Sequence, residues 1–254
     1  MVRVDSITVD FDGVSALSNI STVVNNGDFV VVVGPSGSGK TTLFDVISGT
    51  VNPSQGSIFL DDIDITDVSE KKRACHIGRL FQNTHLSSAP CMTVAENLAL
   101  AMCKDKRIGV HSLMCAYKKE VSELINNIIR PIIQNIDELL DRPIGRISGG
   151  QRQIISFVMA TLKPPRLLLL DEPTAALDPQ SATKLLLFAQ EFIAKKKITT
   201  MLITHDPHLA LSIGNKLLVL DKGVIKSEFG QDKRNISPDN LIGQIDYQAI
   251  AKNF

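Results

Sequence analysis

The segment GPSGSGKT, from Gly34 to Thr41, fits the pattern G-x-x-x-x-G-K-[ST]. It follows the apolar run FVVVV and leads into TTLFDVISG, so it has the strand–loop–helix setting of a phosphate-binding loop. Glycines let backbone N–H groups surround phosphate oxygens, and a helix N-terminus adds partial positive charge. We expect Lys40 to reach the β- and γ-phosphates of ATP and the Thr41 hydroxyl to bind Mg²⁺. The other residues expected to contact the nucleotide are Gly34, Pro35, Ser36, Gly37, Ser38, Gly39 and Thr42.

A second acidic element follows the apolar run LLLL at 167–170. Open α/β sheets bind ligands at the carboxyl ends of their strands, which is where Asp171 and Glu172 would lie. We expect Asp171 to hold Mg²⁺ and Glu172 to act as general base toward the attacking water. Without the glycine-rich loop, such a pair would more simply indicate the start of a helix, where carboxylates are favoured.

Apolar segments on either side of a helical region must position these motifs. Continuous runs indicate strands buried on both faces of a sheet that helices cover. Helical periodicity fills Thr93 to Leu140, and shorter helices are expected at Arg152–Leu162 and Ser237–Ile245. We therefore predict one α/β core interrupted by a mostly helical insertion, with a charged turn at Lys195–Lys197. The predicted strands are Val2–Val9, Phe29–Val33, Ser57–Leu60, Leu167–Leu170, Thr199–Thr204 and Lys216–Leu220.

Composition narrows the class of protein. The 254 residues include 27 Lys and Arg and 27 Asp and Glu, so the formal net charge is zero. That balance argues against nucleic acid as a general partner, because such binding needs a basic excess. We expect no membrane span, since the longest stretch without a charge, Leu80 to Ala95, is broken by polar residues. The four cysteines form no CxxC pair, which is typical of a reducing compartment.

The segment ISGGQ, from Ile147 to Gln151, resembles the signature loop of ABC-type ATPases, with Ile in place of the usual Leu. In that family the signature loop of one subunit closes on ATP held by the phosphate-binding loop of its partner. The resemblance implies that Ser148, Gly149, Gly150 and Gln151 contact nucleotide across a homodimer. It also implies a Q-loop glutamine at Gln82 that helps to bind Mg²⁺, a D-loop aspartate at Asp178, a switch histidine at His205 and an adenine-stacking aromatic at Phe11.

Longer stretches, such as LLLLDEPTAALDP and TTMLITHDPHLALSIGNKLLVLDKG, are similar to the ATPases of bacterial binding-protein-dependent importers. That group is often labelled as transporting tryptophan or tyrosine. The resemblance implies a membrane permease as partner, a periplasmic or lipoprotein solute-binding protein in the same system, and a peripheral position on the cytoplasmic face of the inner membrane. The segment 82–96 is expected to meet the permease.

The fold implied is a P-loop NTPase core of the ABC ATPase type, with an antiparallel β subdomain and a helical subdomain. We expect the core at 1–82 and 160–229, the helical subdomain with its signature at 83–159, and a short extension at 230–254. Two alternatives stay open: a soluble ABC-type ATPase acting on a macromolecular assembly, such as an iron–sulfur assembly factor, and a regulatory module that binds ATP without hydrolysing it. The presence of both Glu172 and His205 argues against the second.

Overall fold

The computed structural model describes residues 1–83, 86–102, 118–175 and 177–244. Its strands are β1 (Val2–Phe11), β2 (Val14–Val24), β3 (Phe29–Val33), β4 (Gln55–Leu60), β5 (Ile63–Asp64), β6 (Ile77–Leu80), β7 (Leu167–Asp171), β8 (Thr200–Ile203), β9 (Lys216–Asp221) and β10 (Val224–Phe229). Its α-helices are α1 (Lys40–Ser48), α2 (Glu70–Arg73), α3 (Val94–Met102), α4 (Lys118–Leu124), α5 (Ile136–Leu139), α6 (Gly149–Thr161), α7 (Pro179–Lys196), α8 (Pro207–Ser212) and α9 (Pro238–Gln244). The described residues also include a π-helix (Ile125–Ile129) and 3₁₀ helices at Ile144–Arg146 and Gln231–Asn235.

The chain divides into two units. Unit 1 contains Met1–Ile77, Arg166–Glu172 and Lys197–Phe254, and unit 2 contains Gly78–Pro165 and Pro173–Lys196. The chain therefore leaves unit 1 within β6 and returns through β7. By this division the segment Pro173–Lys196, which includes α7, belongs to the helical unit.

Unit 1 contains two kinds of sheet, and the α/β class predicted from the sequence is confirmed. An antiparallel sheet has the order β2–β1–β4–β5, and the strands of the second sheet in this unit run β10–β9–β3–β8–β7. In the second sheet β3 pairs in parallel with β8 and β9, and β7 pairs in parallel with β8. The carboxyl ends of β3, β7 and β8 therefore meet at one edge.

The burial pattern explains the two sheets. In β3, Val30–Val33 have no exposed side-chain surface, as expected for a strand covered on both faces. In β1 the buried residues alternate with more exposed ones, and a register shift between Val4 and Ile7 interrupts the alternation. Ser6 there has a φ of 54°, which accommodates the extra residue of the bulge.

Several boundaries differ from the prediction. The helix expected from Arg152 starts at Gly149 because Ser148 caps it, and the strand expected at Thr199–Thr204 is limited to Thr200–Ile203. Lys195 and Lys196 are the last residues of α7 and not a turn; the chain turns at Lys197, where φ is 52°. The strands β2, β5, β6 and β10 were missed because their apolar residues are too few or too interrupted to stand out.

Unit 2 is mainly helical. The predicted helical region contains α3, α4, the π-helix and α5, whereas its residues 103–117 lie outside the described part of the chain. Phe157 of α6 makes edge contacts with Phe188 and Phe192 of α7, at centroid distances of 5.4 and 5.9 Å. In the part of the chain that the structure describes, no helix has the length and apolar character needed to cross a membrane.

A buried arginine ties α1 to the segment that follows β5. Arg73 is 2% exposed, and its guanidinium donates hydrogen bonds to four backbone carbonyls: Val46 and Ile47 in α1, and Thr66 and Val68. The last carbonyls of a helix have no partner within it, so a cation there satisfies them and complements the helix dipole. Burial lowers the pKa of Arg73, while Asp64 and Asp67 oppose that shift.

We expect Arg73→Leu to lower the free energy of unfolding by about 3 kcal/mol or more, because it leaves buried carbonyl groups without donors. Urea unfolding followed by circular dichroism measures this loss. Lys72→Leu, in the same short helix at an exposed position, is the matched control and should change stability by less than about 0.5 kcal/mol. Equal stability of the two variants would contradict the assigned role of Arg73.

Candidate functional site

The glycine-rich loop connects β3 to α1 and has little space for side chains at two of its glycines. A Cβ on Gly34 would lie 2.1 Å from the carbonyl oxygen of Leu220. A Cβ on Gly39 would lie 2.6 Å from the carbonyl oxygen of Ala16, and Gly39 has a φ of 95°. The loop is therefore packed closely against backbone of neighbouring segments. The third glycine, Gly37, needs its positive φ of 78° but has open space around it.

Lys40 curls back over this loop. Its Nζ donates to the carbonyl oxygens of Gly34 and Pro35, both at 2.9 Å, and the residue is 5% exposed. Burial lowers the pKa of Lys40, whereas the charges of Glu172 and Asp171 raise it. The ammonium group is thus held inside the loop, in the electrostatic field of both carboxylates.

The start of α1 presents donors for an anion. Its first helical hydrogen bond runs from Leu43 N to Gly39 O at 2.8 Å. The N–H groups of Lys40, Thr41 and Thr42 come before it and therefore have no acceptor within the helix. No side chain caps this end. The Ser38 hydroxyl oxygen is buried and has no hydrogen-bond partner among the described residues. Thr41 is exposed, as are Ser36 and Gly37, while Pro35 and Thr42 are half-buried.

Asp171 and Glu172 follow directly from β7. Asp171 is the last residue of that strand and is 4% exposed. The backbone of Glu172 is left-handed, with a φ of 45°, which is rare for a residue other than glycine. Its N–H donates to the carbonyl of Ile203 at 3.1 Å, so β8 holds the turn in place. Such a strained residue at a strand end is a common feature of functional sites.

His205 meets Glu172 from the end of β8. Its Nε2 lies 2.5 Å from Oε1 of Glu172. The next residue, Asp206, caps α8 by accepting hydrogen bonds from the N–H groups of His208 and Leu209 at 2.8 and 3.2 Å. The Asp206 N–H in turn donates to Oγ1 of Thr204. His205 therefore lies in a turn whose two flanking residues are both hydrogen-bonded.

Sequence reasoning did not single out Asp206 or Thr204, although they fix this turn. The Asp206–Pro207 pair was a usable signal, because aspartate favours the N-cap and proline the first helical position. Within unit 1 the structure brings together the glycine-rich loop, Lys40, Asp171, Glu172 and His205. Phe11 belongs to the same unit, where it is the last residue of β1 and is 47% exposed.

The signature segment lies in unit 2, at the start of α6. The Ser148 Oγ accepts from the N–H of Gln151, and Oε1 of Gln151 accepts from the N–H of Ser148, both at 3.2 Å. This capping box gives both residues a structural role at the helix start. Gly149 is half-buried and Gly150 is buried, and a Cβ on Gly150 would lie 2.6 Å from Ser181 Oγ.

Asp178 also caps a helix in unit 2. Its Oδ1 accepts from the N–H of Ser181 in α7 at 3.0 Å, and hydrogen bonding by Ser181 lowers the pKa of Asp178. Ser181 therefore connects the predicted D-loop to Gly150 of the predicted signature. Gln82, also in unit 2, follows β6 and is exposed. Relations between these residues and those of unit 1 stay predictions.

The residues of unit 1 suit a nucleotide with a divalent cation. A buried ammonium, an uncapped helix start and a buried hydroxyl without a partner all favour phosphate oxygens. Thr41 and Asp171 supply the oxygen ligands that Mg²⁺ prefers. Among the described residues no group of three His, Cys, Asp or Glu side chains could hold a metal by itself.

Comparisons with known proteins settle the family. The sequence profile described as "ABC transporter" matches residues 17–175. The chain belongs to the ABC transporter family. It is 35% identical over 230 residues to a protein named "Tyrosine transport ATP-binding protein" from Clostridioides difficile, an alignment that covers 90% of each chain. The cassette is therefore an ATPase of the kind that hydrolyses ATP.

Further relatives support this assignment. The spermidine/putrescine import ATP-binding protein PotA of Vibrio cholerae is 32% identical over 250 residues; the alignment covers 96% of this chain but only 62% of PotA. The solved structure of MJ1267, an ATP-binding cassette of an ABC transporter in its ADP conformation, superimposes with a TM-score of 0.77 at 27% identity. That comparison covers 100% of this chain and 99% of MJ1267. The ABC cassette fold predicted from the motifs is confirmed.

Two glycines of the loop provide a matched test of its packing. We expect Gly39→Ala to weaken nucleotide binding by at least about tenfold, because its Cβ would collide with the Ala16 carbonyl. Gly37→Ala carries the backbone cost of a positive φ, about 1 kcal/mol, but meets no neighbouring atom. Titration calorimetry with ATP measures both variants. Stronger loss in Gly37→Ala than in Gly39→Ala would contradict this account of the loop.

Proposed function

We propose that this chain powers the uptake of an aromatic amino acid through a partner permease. In this proposal two copies form a homodimer that encloses two ATP molecules. Each site combines unit 1 of one subunit with Ser148, Gly149 and Gly150 of the other. ATP supplies contacts in the closed state that are lost on hydrolysis, which is the differential affinity that any ligand-driven switch requires.

The contact between Glu172 and His205 is the observation that most directly supports the hydrolytic roles. In this proposal Glu172 is the general base toward the attacking water, and its left-handed backbone places it directly after the end of β7. His205, at 2.5 Å from that carboxylate, orients it and reaches the γ-phosphate. Both side chains are supplied by adjacent parallel strands, so their spacing is set by the sheet.

The remaining roles follow from charge and donor type. Lys40 and the N–H groups at the start of α1 bind the β- and γ-phosphates. Thr41, Asp171 and Gln82 would hold Mg²⁺, which supplies charge neutralisation at the phosphates when bound. Asp178 contributes across the dimer, and Phe11 stacks on adenine, for which its exposed ring at the end of β1 is suited.

The transport assignment is supported by relatives and not by the geometry of the chain. The tyrosine transport relative matches over 90% of both lengths, and sequence features of the importer subgroup agree with it. Polyamine and sulfate import proteins are also similar, over less of their own lengths. The proposal includes a permease, an associated solute-binding protein and a peripheral position on the cytoplasmic face of the inner membrane. An assembly ATPase is not favoured, because the named relatives are transport proteins.

Glu172→Gln tests the general base. We expect the turnover number for ATP to fall at least about a hundredfold, since the amide cannot accept the proton, while the affinity for ATP stays within about threefold. Steady-state hydrolysis and nucleotide titration on the same preparation measure the two quantities. Glu138→Gln, at an exposed position of α5, is the control and should match the parent protein. Parental turnover in Glu172→Gln would exclude the assigned role.

Lys40→Ala tests whether Lys40 binds the phosphates of ATP. We expect ATP affinity to fall at least about tenfold, because the variant loses the ammonium group that faces the phosphates. Titration calorimetry measures the affinity, and thermal unfolding checks that the loop still folds. Affinity equal to that of the parent protein would contradict phosphate binding by Lys40.

The solute is tested in a reconstituted transporter. The chain is purified with its proposed permease partner, placed in proteoliposomes, and supplied with the proposed solute-binding protein and ATP. We expect uptake of labelled tyrosine or tryptophan that is abolished by Glu172→Gln. Uptake of a polyamine or sulfate instead would overturn the aromatic substrate but keep the import function. Co-purification with a soluble scaffold and no permease would overturn import.

A further inference from the structure

The segment that follows β10 contains a buried lysine that no catalytic role uses. Lys233, in the 3₁₀ helix Gln231–Asn235, is only 1% exposed and is among the largest fully buried side chains of the described residues. Burying an ammonium group is costly unless hydrogen bonds and opposite charge compensate it. The groups that bind the Lys233 ammonium therefore indicate which part of the fold the 3₁₀ helix stabilises.

Two of its partners lie at the end of α8. The Lys233 Nζ donates to the carbonyl oxygen of Ala210 at 2.9 Å and also to that of Ile213. Ala210 is in the last turn of α8, and Ile213 is the residue that ends the helix. Carbonyls at this position lack partners within the helix and carry partial negative charge, so an ammonium group both satisfies and stabilises them.

The helix that Lys233 holds is very short. α8 has six residues, and helices of this length are not stable by themselves in water. Its position therefore depends on side chains from elsewhere. Asp206 caps its start, Lys233 holds its end, and α9 packs against it with Leu241 fully buried. The segment 230–244 therefore supplies two of the contacts that fix α8.

The start of α8 is one residue beyond His205. A displacement of the helix would move Asp206, whose N–H bonds Thr204, and with it the backbone of His205. We infer that Lys233 is a positioning residue for His205: by holding the carboxyl end of α8, it keeps Nε2 of His205 against Glu172. Misplacement of a catalytic group by about 1 Å can reduce a rate by about a hundredfold. This inference rests on the role proposed for His205.

The test is a double-mutant cycle on the full chain with Mg²⁺ and ATP. Lys233→Met keeps much of the apolar stem and removes the ammonium group. We expect it to lower the turnover number at least about fivefold with a nearly unchanged KM, at a temperature where the variant is folded. In a His205→Ala background the same substitution should cost less than about twofold, because the residue through which it acts is absent.

Controls distinguish positioning from loss of stability. Gln231→Met, an exposed neighbour, should behave as the parent protein does. Ile58→Ala in β4 should lower thermal stability while leaving the turnover number unchanged, because Ile58 is buried in the antiparallel sheet of unit 1. Lys233→Arg, which keeps a cation, should recover part of the rate. If Lys233→Met does not fold, Leu241→Ala replaces it in the same cycle with the same criteria.

The outcomes separate this inference from the proposed function. Parental turnover in folded Lys233→Met, or an equal loss of rate in both backgrounds, would overturn the positioning role. If His205→Ala itself keeps parental turnover, the role of His205 is wrong and this inference is wrong with it. If His205→Ala is impaired and Lys233→Met is not, only the inference about Lys233 is overturned.

Discussion

The buried ammonium group of Lys40 is the constraint on which the rest of unit 1 depends. It is desolvated, held by two carbonyls of its own loop and faced by two carboxylates. The loop that holds this charge also packs closely on neighbouring segments, and it has Gly34 and Gly39 at two positions where a Cβ would meet a backbone oxygen. The charge also needs acidic side chains nearby, and Asp171 and Glu172 supply them. They lie at the same sheet edge as the loop because β3 and β7 are both parallel to β8.

Three unfavourable features of the unit lie near that edge. The strained backbone of Glu172 and the desolvation of Lys40 each raise the energy of the folded chain. So does the buried Ser38 hydroxyl, which has no partner among the described residues. The buried cation Arg73, elsewhere in unit 1, is instead paired with four backbone carbonyls. Phosphate oxygens bound at this edge would relieve two of the three costs directly. Because nucleotide would bind the folded chain and not the unfolded chain, its binding should therefore also stabilise the fold.

Sequence reasoning found what depends on local pattern. Continuous apolar runs predicted β3 within its observed bounds, and the loop motif placed Lys40 correctly at the start of α1. It failed where structure depends on distant partners. The buried cations Arg73 and Lys233 are explained by contacts with residues far away in the sequence. The caps at Asp206 and Ser148 are local patterns that were overlooked. A lysine in QDKRN has no local feature that predicts complete burial, because its partners are carbonyls about twenty positions earlier.

The signature segment illustrates how one residue can serve both fold and function. Ser148 accepts a hydrogen bond from the N–H of Gln151, which uses one lone pair of its hydroxyl oxygen. A serine hydroxyl has a second lone pair and a rotatable O–H donor, so capping leaves it able to donate to a phosphate oxygen. The cap also fixes the direction of α6, whose N-terminus favours an anion. Structural capping and the proposed contact with nucleotide are therefore chemically compatible, and the cap orients the hydroxyl before any ligand arrives.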